Sequence, residues 1–153
     1  MRRFLVDRID PEGQVFTITG REAKHIGRVL RMDRGDRFVL MDREGKRFRA
    51  VIESVNRSGI ETILEHPLPP PPMPPVEIIL CQAALKAGAM DNLVEKTSEL
   101  GVGTIIPFVS ERTVVHPVQH KSSGKVRRWR EIADSTAKQA DRRMPARIEL
   151  PCS

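Results

Sequence analysis

Tyrosine is absent from the 153 residues, tryptophan occurs once, and aromatic residues make up only 4% of the chain. Stacking of bases on aromatic rings is therefore not a device this chain can use widely. Phe4, Phe16, Phe38 and Phe48 each lie within a β-favouring run and are expected in a core. Cysteine is also scarce. Cys81 and Cys152 stand far apart and form no Cys-x-x-Cys pair, which predicts two reduced thiols rather than a disulfide framework. No apolar run approaches the ~20 residues that cross a bilayer. The apolar stretch after Arg2 and Arg3 is three residues long, too short for the h-region of an export signal. A cytoplasmic protein without membrane association is the expectation. The chain has no Walker loop, no Gly-x-Gly-x-x-Gly and no Gly-x-Ser-x-Gly, so the usual marks of nucleotide hydrolysis, dinucleotide binding and serine-hydrolase chemistry are missing. His116 and His120 are four apart, but no cysteine or carboxylate is arranged nearby to complete a zinc site, and no metal is expected.

What the chain does have is positive charge, spread evenly. With 26 Lys and Arg against 20 Asp and Glu, the net charge is +6. Residues 1–68 hold 14 basic and 11 acidic groups, and residues 76–153 hold 12 and 9, so each part carries +3. A polyanion such as RNA is a reasonable partner for both parts.

The two parts are separated by Leu68-Pro69-Pro70-Pro71-Pro72-Met73-Pro74-Pro75, in which six of the seven positions 69–75 are proline. Such a run cannot join a helix or a central strand. It favours an extended polyproline II spacer rising ~3 Å per residue. Before it, short β-favouring runs at Arg2–Val6, Gln14–Thr19, Arg37–Asp42, Arg47–Asn56 and Ile60–His66 alternate with turn signals, a pattern that predicts a small β-barrel. One helix, Gly20–Arg31, interrupts them, with Thr19 as its cap and Glu22 completing a capping box. After the prolines the pattern becomes α/β. Val76–Leu85 reads as a buried strand. Met90–Leu100 reads as a helix with Met90, Leu93, Val94, Thr97 and Leu100 on one face, stopped by Gly101. Thr104–Val109 is a second strand, Lys125–Arg143 a long helix ended by Pro145, and Arg147–Leu150 a third strand. The alternation implies a parallel sheet.

Two helices carry the candidate chemistry. On Gly20–Arg31, Ala23, Ile26, Val29 and Leu30 cover one side, while Arg21, Lys24, His25, Arg28 and Arg31 cover the other. Five basic-capable groups on a solvent face can neutralise several phosphates, although an ordinary solvated face has the same pattern. On Lys125–Arg143, Val126, Trp129, Ala133, Ala137 and Ala140 share a face suited to close packing on a sheet. Arg128, Ser135, Gln139 and Arg142 point away from it. Trp129 reads as a core anchor rather than a base platform.

These residues resemble a known family. His25-Ile-Gly-Arg-Val29-Leu30-Arg31-Met-Asp-Arg-Gly35-Asp36 is similar to the N-terminal signature of the RsmE family of 16S ribosomal RNA uridine methyltransferases, and Arg3-Phe4 matches as well. Glu99-Leu100-Gly101-Val102, then Pro107 and Ser110-Glu111-Arg112, resemble a second stretch of that family. Gln139, Arg142 and Pro145 resemble a third. The resemblance implies a PUA-like RNA-binding β-barrel at 1–68, a proline-rich linker at 69–75 and the first part of an α/β SPOUT (trefoil-knot) methyltransferase domain at 76–153. It implies S-adenosylmethionine as donor, N3 of a uridine in 16S rRNA or the small ribosomal subunit as acceptor, and a homodimer for the full-length protein. Arg112, Gln139 and Arg142 are then the candidate catalytic residues; Arg3, Arg21, Lys24, His25, Arg28 and Arg31 are the candidate RNA contacts. Lys138 stands where the family often has Glu, and Ala89 where it often has Lys. The knotted segment with its Gly-Pro-Glu-Gly-Gly loop does not occur in the sequence. The donor site is expected in that segment, and these residues are expected to be inactive alone. The alternative is a stand-alone RNA-binding module without catalysis.

Overall fold

A computed structural model describes residues 1–10, 13–110 and 119–152, with the backbone alone at 87 and 119–123. The residues gather into two compact units, Met1–Pro70 and Pro71–Ser153.

The first unit is a five-stranded mixed sheet. Its strands are β1 (Arg3–Val6), β2 (Val15–Ile18), β3 (Arg37–Asp42), β4 (Arg47–Val55) and β5 (Ile60–Pro67), in the spatial order β1-β3-β4-β5-β2. Only β1 and β3 pair in parallel; the other three pairings are antiparallel. The small barrel that the strand pattern predicts is left open: β1 and β2 are the two ends of the order and do not pair. The sheet curls into a half-barrel, because register shifts at Arg49/Ala50 and Ile52/Ser54 bend the β4–β5 ribbon. The curl brings Phe4 from one edge and Ile18 from the other into one core with Ile9, Phe38, Leu40, Ile52 and Ile60. The helical segment contributes Ile26 to the same core, so helix packing takes the place of strand closure.

Two turns fix the sheet. Asp42, fully buried at the end of β3, accepts hydrogen bonds from the backbone N–H groups of Ile9 at 3.1 Å, Glu44 at 3.0 Å and Lys46 at 2.9 Å. A buried carboxylate is tolerable only with such donors. Between β4 and β5, Asn56 Oδ1 accepts from the N–H groups of Ser58 at 3.0 Å and Gly59 at 2.9 Å. Gly59 comes so close to β2 that a Cβ there would lie 2.4 Å from the Ile18 carbonyl oxygen, which only glycine avoids.

The helix expected over Gly20–Arg31 is divided. Helix α1 (Gly20–Lys24) passes into a π-helical turn at His25–Val29, with the Leu30 N–H donating to the His25 carbonyl at 2.9 Å. The extra residue in this turn carries Val29 off the buried stripe, leaving it 70% exposed. The expected capping box does not form either. Thr19 makes no side-chain cap bond, because Gly20 enters the helix with φ +67° and twists the first turn away from it. Arg31, at φ +50°, already lies beyond the helix.

The second unit is a three-stranded sheet of β6 (Ile79–Ala83), β7 (Thr104–Phe108) and β8 (Arg147–Ile148), all parallel and in that order. Crossovers α2 (Ala87–Leu100) and α3 (Gln119–Gln139) connect them. Leu80, Ile105 and Ile148 stand side by side in register. They form a core with Met90 and Val94 of α2 and Val126, Trp129 and Ala133 of α3. Leu100, expected on the buried face, is 82% exposed while Ser98 is buried, because Leu100 falls at the margin of the apolar stripe in the last turn. The long helix also ends earlier than expected. Asp141 takes φ +54° and the Arg142 N–H donates to the Ala137 carbonyl at 2.9 Å. This left-handed cap, not Pro145, stops the helix. Among the described residues no helix is long and apolar enough to cross a membrane.

Candidate RNA-facing surfaces and the Arg142 cleft

In the first unit, Arg21, Lys24, Arg28 and Arg31 are exposed along the helical segment, while Arg3 on β1 and His25 are half-buried. His25 leans edge-on against Phe4, with ring centroids 6.1 Å apart, and Phe4 in turn meets Phe38 at 5.1 Å. His25 thus anchors the helix to β1 in addition to any contact it makes outward. The surroundings of the cations decide which are available. Arg34 pairs with Glu53 at 2.8 Å and Arg37 with Glu65 at 2.9 Å, so much of their charge is already answered. Among the described residues, no carboxylate pairs with Lys24, Arg28 or Arg31. Elsewhere the charges also pair locally. A hydrogen bond from Lys46 holds the exposed Glu44 carboxyl below its ordinary range, and one to Glu99 raises the Lys96 ammonium above its own. Among the described residues, Lys24, Arg28 and Arg31 are thus exposed charges with no carboxylate bound to them.

In the second unit a cleft of about 650 Å³ opens at the N-terminal ends of β6 and β7. One wall is the proline strap Pro71–Pro75 leading into Ile78; the other is Asp141–Pro145, with Gly101 and Gly103 at the base. Arg142 is half-buried there. Its Nη2 donates to the Gly101 carbonyl at 3.1 Å. Gly101 ends α2 with φ +112°, while its N–H and that of Val102 close back onto Ser98 and Thr97. A cation at this point also meets the negative end of the α2 dipole. Gln139, the last residue of α3, is exposed. The structure therefore places Gln139 and Arg142 at the same helix end. Arg112, like the histidine-bearing segment up to Val118, lies outside the described residues.

Sequence reasoning missed Arg143 and the proline strap as walls of this cleft, and read Gly101 as a helix stop and as part of the Glu99–Val102 stretch without linking it to Arg142. The glycine itself was the available signal, but its neighbour Arg142 is 41 residues away. Arg130, unremarked in the sequence, donates through Nε and Nη2 to the Ile148 carbonyl at 3.1 and 2.8 Å, satisfying β8 from the helix side. Among the described residues no group of three His, Cys, Asp or Glu could hold a metal.

Comparison with known proteins places these surfaces in context. The profile of a family described as an RNA methyltransferase domain matches residues 72–153, and that of an RNA methyltransferase PUA domain matches residues 18–65. Ribosomal RNA small subunit methyltransferase E of Bacillus subtilis is 28% identical over 137 residues, which cover 90% of this chain and 54% of that protein. The protein of the same name from Mycobacterium bovis is 31% identical over 140 residues, covering 91% and 53%. The crystal structure of Ribosomal RNA small subunit methyltransferase E from Neisseria gonorrhoeae, bound to S-adenosyl methionine, superposes with a TM-score of 0.92 at 26% identity, covering 100% of this chain and 63% of that one. The chain thus spans about half the length of the curated relatives it matches.

Proposed function

The chain belongs to the RNA methyltransferase family, and from that premise we propose that it is the RNA-holding portion of an enzyme that methylates N3 of a uridine in 16S rRNA with S-adenosylmethionine as donor. The observation that carries the reading is that Lys24, Arg28 and Arg31, exposed and among the described residues without a carboxylate partner, lie on a PUA-matching unit, in one chain with a methyltransferase-matching α/β unit.

The Arg142 cleft does not fit the donor. It lies at the N-terminal ends of the strands, whereas open α/β sheets bind their ligands beyond the carboxyl ends. The contribution of these residues is to the acceptor. Uridine N3 is a weak acid, and it becomes nucleophilic as its proton leaves. A fixed guanidinium near the base or its phosphate stabilises the anion that results. Arg142 and Arg112 are the residues we assign to that role, with Gln139 able to donate to a uridine carbonyl or accept from its N–H. Arg3, Arg21, Lys24, His25, Arg28 and Arg31 hold the surrounding RNA. The whole protein acts as a homodimer in the cytoplasm, on the small ribosomal subunit or its rRNA.

The test is on the cellular RNA. Methylation at N3 blocks the pairing edge of uridine, so reverse transcription of 16S rRNA stops there. Deleting the gene should abolish one such stop, and restoring it should bring the stop back. An unchanged stop pattern would refute the assignment. Calorimetry of the 153-residue chain with S-adenosylmethionine should show no binding at ~1 mM donor, or about −4 kcal/mol. Micromolar binding would place the donor site within these residues.

A further inference from the structure

We propose that Gly101 is a positioning residue for RNA: it seats the Arg142 guanidinium at the cleft, so that the Glu99–Val102 motif and the Gln139–Pro145 motif work as one device. The proposal rests on the reading of Arg142 as an RNA-facing cation and adds what holds it in place.

The two motifs are joined by one hydrogen bond, from Arg142 Nη2 to the Gly101 carbonyl at 3.1 Å. Each partner is delivered by a left-handed helix cap. Gly101 follows α2 at φ +112°, and Asp141 follows α3 at φ +54°, turning the next residue, Arg142, across to the α2 terminus. The approach is close enough that a side chain at residue 101 would push the guanidinium, the end of a flexible side chain, off its seat. A Cβ on Gly101 would lie 2.7 Å from Arg142 Nη1 and 3.7 Å from Cζ. Glycine here therefore does two things: it adopts the left-handed cap, and it leaves open the space that the guanidinium occupies beside the backbone. A guanidinium has five N–H donors in a rigid fork. Tethering one of them to a carbonyl orients the rest on the cleft wall, where Arg142 and Arg143 both lie. An RNA phosphodiester, whose two non-bridging oxygens can accept two parallel hydrogen bonds at once, is the ligand such a fork suits. Lysine, a point charge on a flexible stem, cannot hold the carbonyl and present an oriented fork together.

The experiment is a double-mutant cycle with the 153-residue chain and unmethylated, transcribed 16S rRNA as the probe, with helix content checked by circular dichroism. Arg142→Ala should weaken binding roughly tenfold. Gly101→Ala, which leaves the arginine present but displaced, should weaken it by a similar factor. The double variant should be no weaker than Arg142→Ala alone. Wild-type affinity for a folded Gly101→Ala, beside a weakened Arg142→Ala, would overturn the proposal and leave the RNA reading standing. Losses that multiply in the double variant would do the same. No effect of Arg142→Ala would remove Arg142 from the RNA surface and the proposal with it. If Gly101→Ala does not fold, Arg142→Lys decides. Loss comparable to Arg142→Ala supports the seated fork, and wild-type affinity shows that charge alone suffices.

Discussion

Removing the charges of Arg28 and Arg31 together should change how RNA binding responds to salt, by an amount the structure lets one estimate. Both side chains are exposed, and among the described residues neither is paired with a carboxylate. Each can therefore neutralise one phosphate and release its counterions. The slope of log affinity against log salt should fall in steepness by ~0.7–0.9 for each contact, or about 1.4–1.8 for the pair. Over a threefold rise in salt, the wild-type chain should then lose about five- to sevenfold more affinity than Arg28→Gln/Arg31→Gln. The structure also supplies a control of equal charge. Arg34 and Arg37 are engaged by Glu53 and Glu65 at 2.8 and 2.9 Å, so Arg34→Gln/Arg37→Gln should move the slope much less. The assay is fluorescence anisotropy on a labelled 16S rRNA fragment at four or five salt concentrations. If both double variants flatten the slope equally, net charge and not local contact governs binding. If neither does, this helix is not the RNA face.

Three further outcomes concern the scaffold. Gly59→Ala puts a methyl group 2.4 Å from the Ile18 carbonyl oxygen and should cost about 2–4 kcal/mol through overpacking and backbone strain; a melting curve by circular dichroism unchanged from wild type would contradict the β2–β5 packing. Asp42→Ala leaves three backbone N–H groups without their acceptor and should cost about 3 kcal/mol. Trp129 is the sole tryptophan and belongs to the second core, so its fluorescence transition should stay in place while the first unit melts earlier. Thr19→Ala should change stability by less than ~0.5 kcal/mol, since Thr19 makes no cap bond; a loss near 1 kcal/mol, typical of a working cap, would restore the capping box.

Local rules determined most of what the sequence could reveal. The strand positions at β1 to β5, the six prolines as a break in period, the stop at Gly101 and the alternation of strands and helices after residue 76 all follow from short-range sterics and apolar spacing, which neighbouring residues settle among themselves. So does the choice of Phe4 and Phe38 as core residues, both almost fully buried. Only the tertiary structure decided the rest. A half-barrel rather than a closed one depends on which strands become edges, and that choice turns on bulges in β4–β5 and on Ile26 entering the core from outside the sheet. The π-turn that everts Val29 goes with the seating of Ile26 in the core of the sheet, a contact with residues distant in sequence. The seat of Arg142 against Gly101 is beyond any local rule, because a side chain and a carbonyl 41 residues apart meet only once two helix caps and a parallel sheet have brought them together.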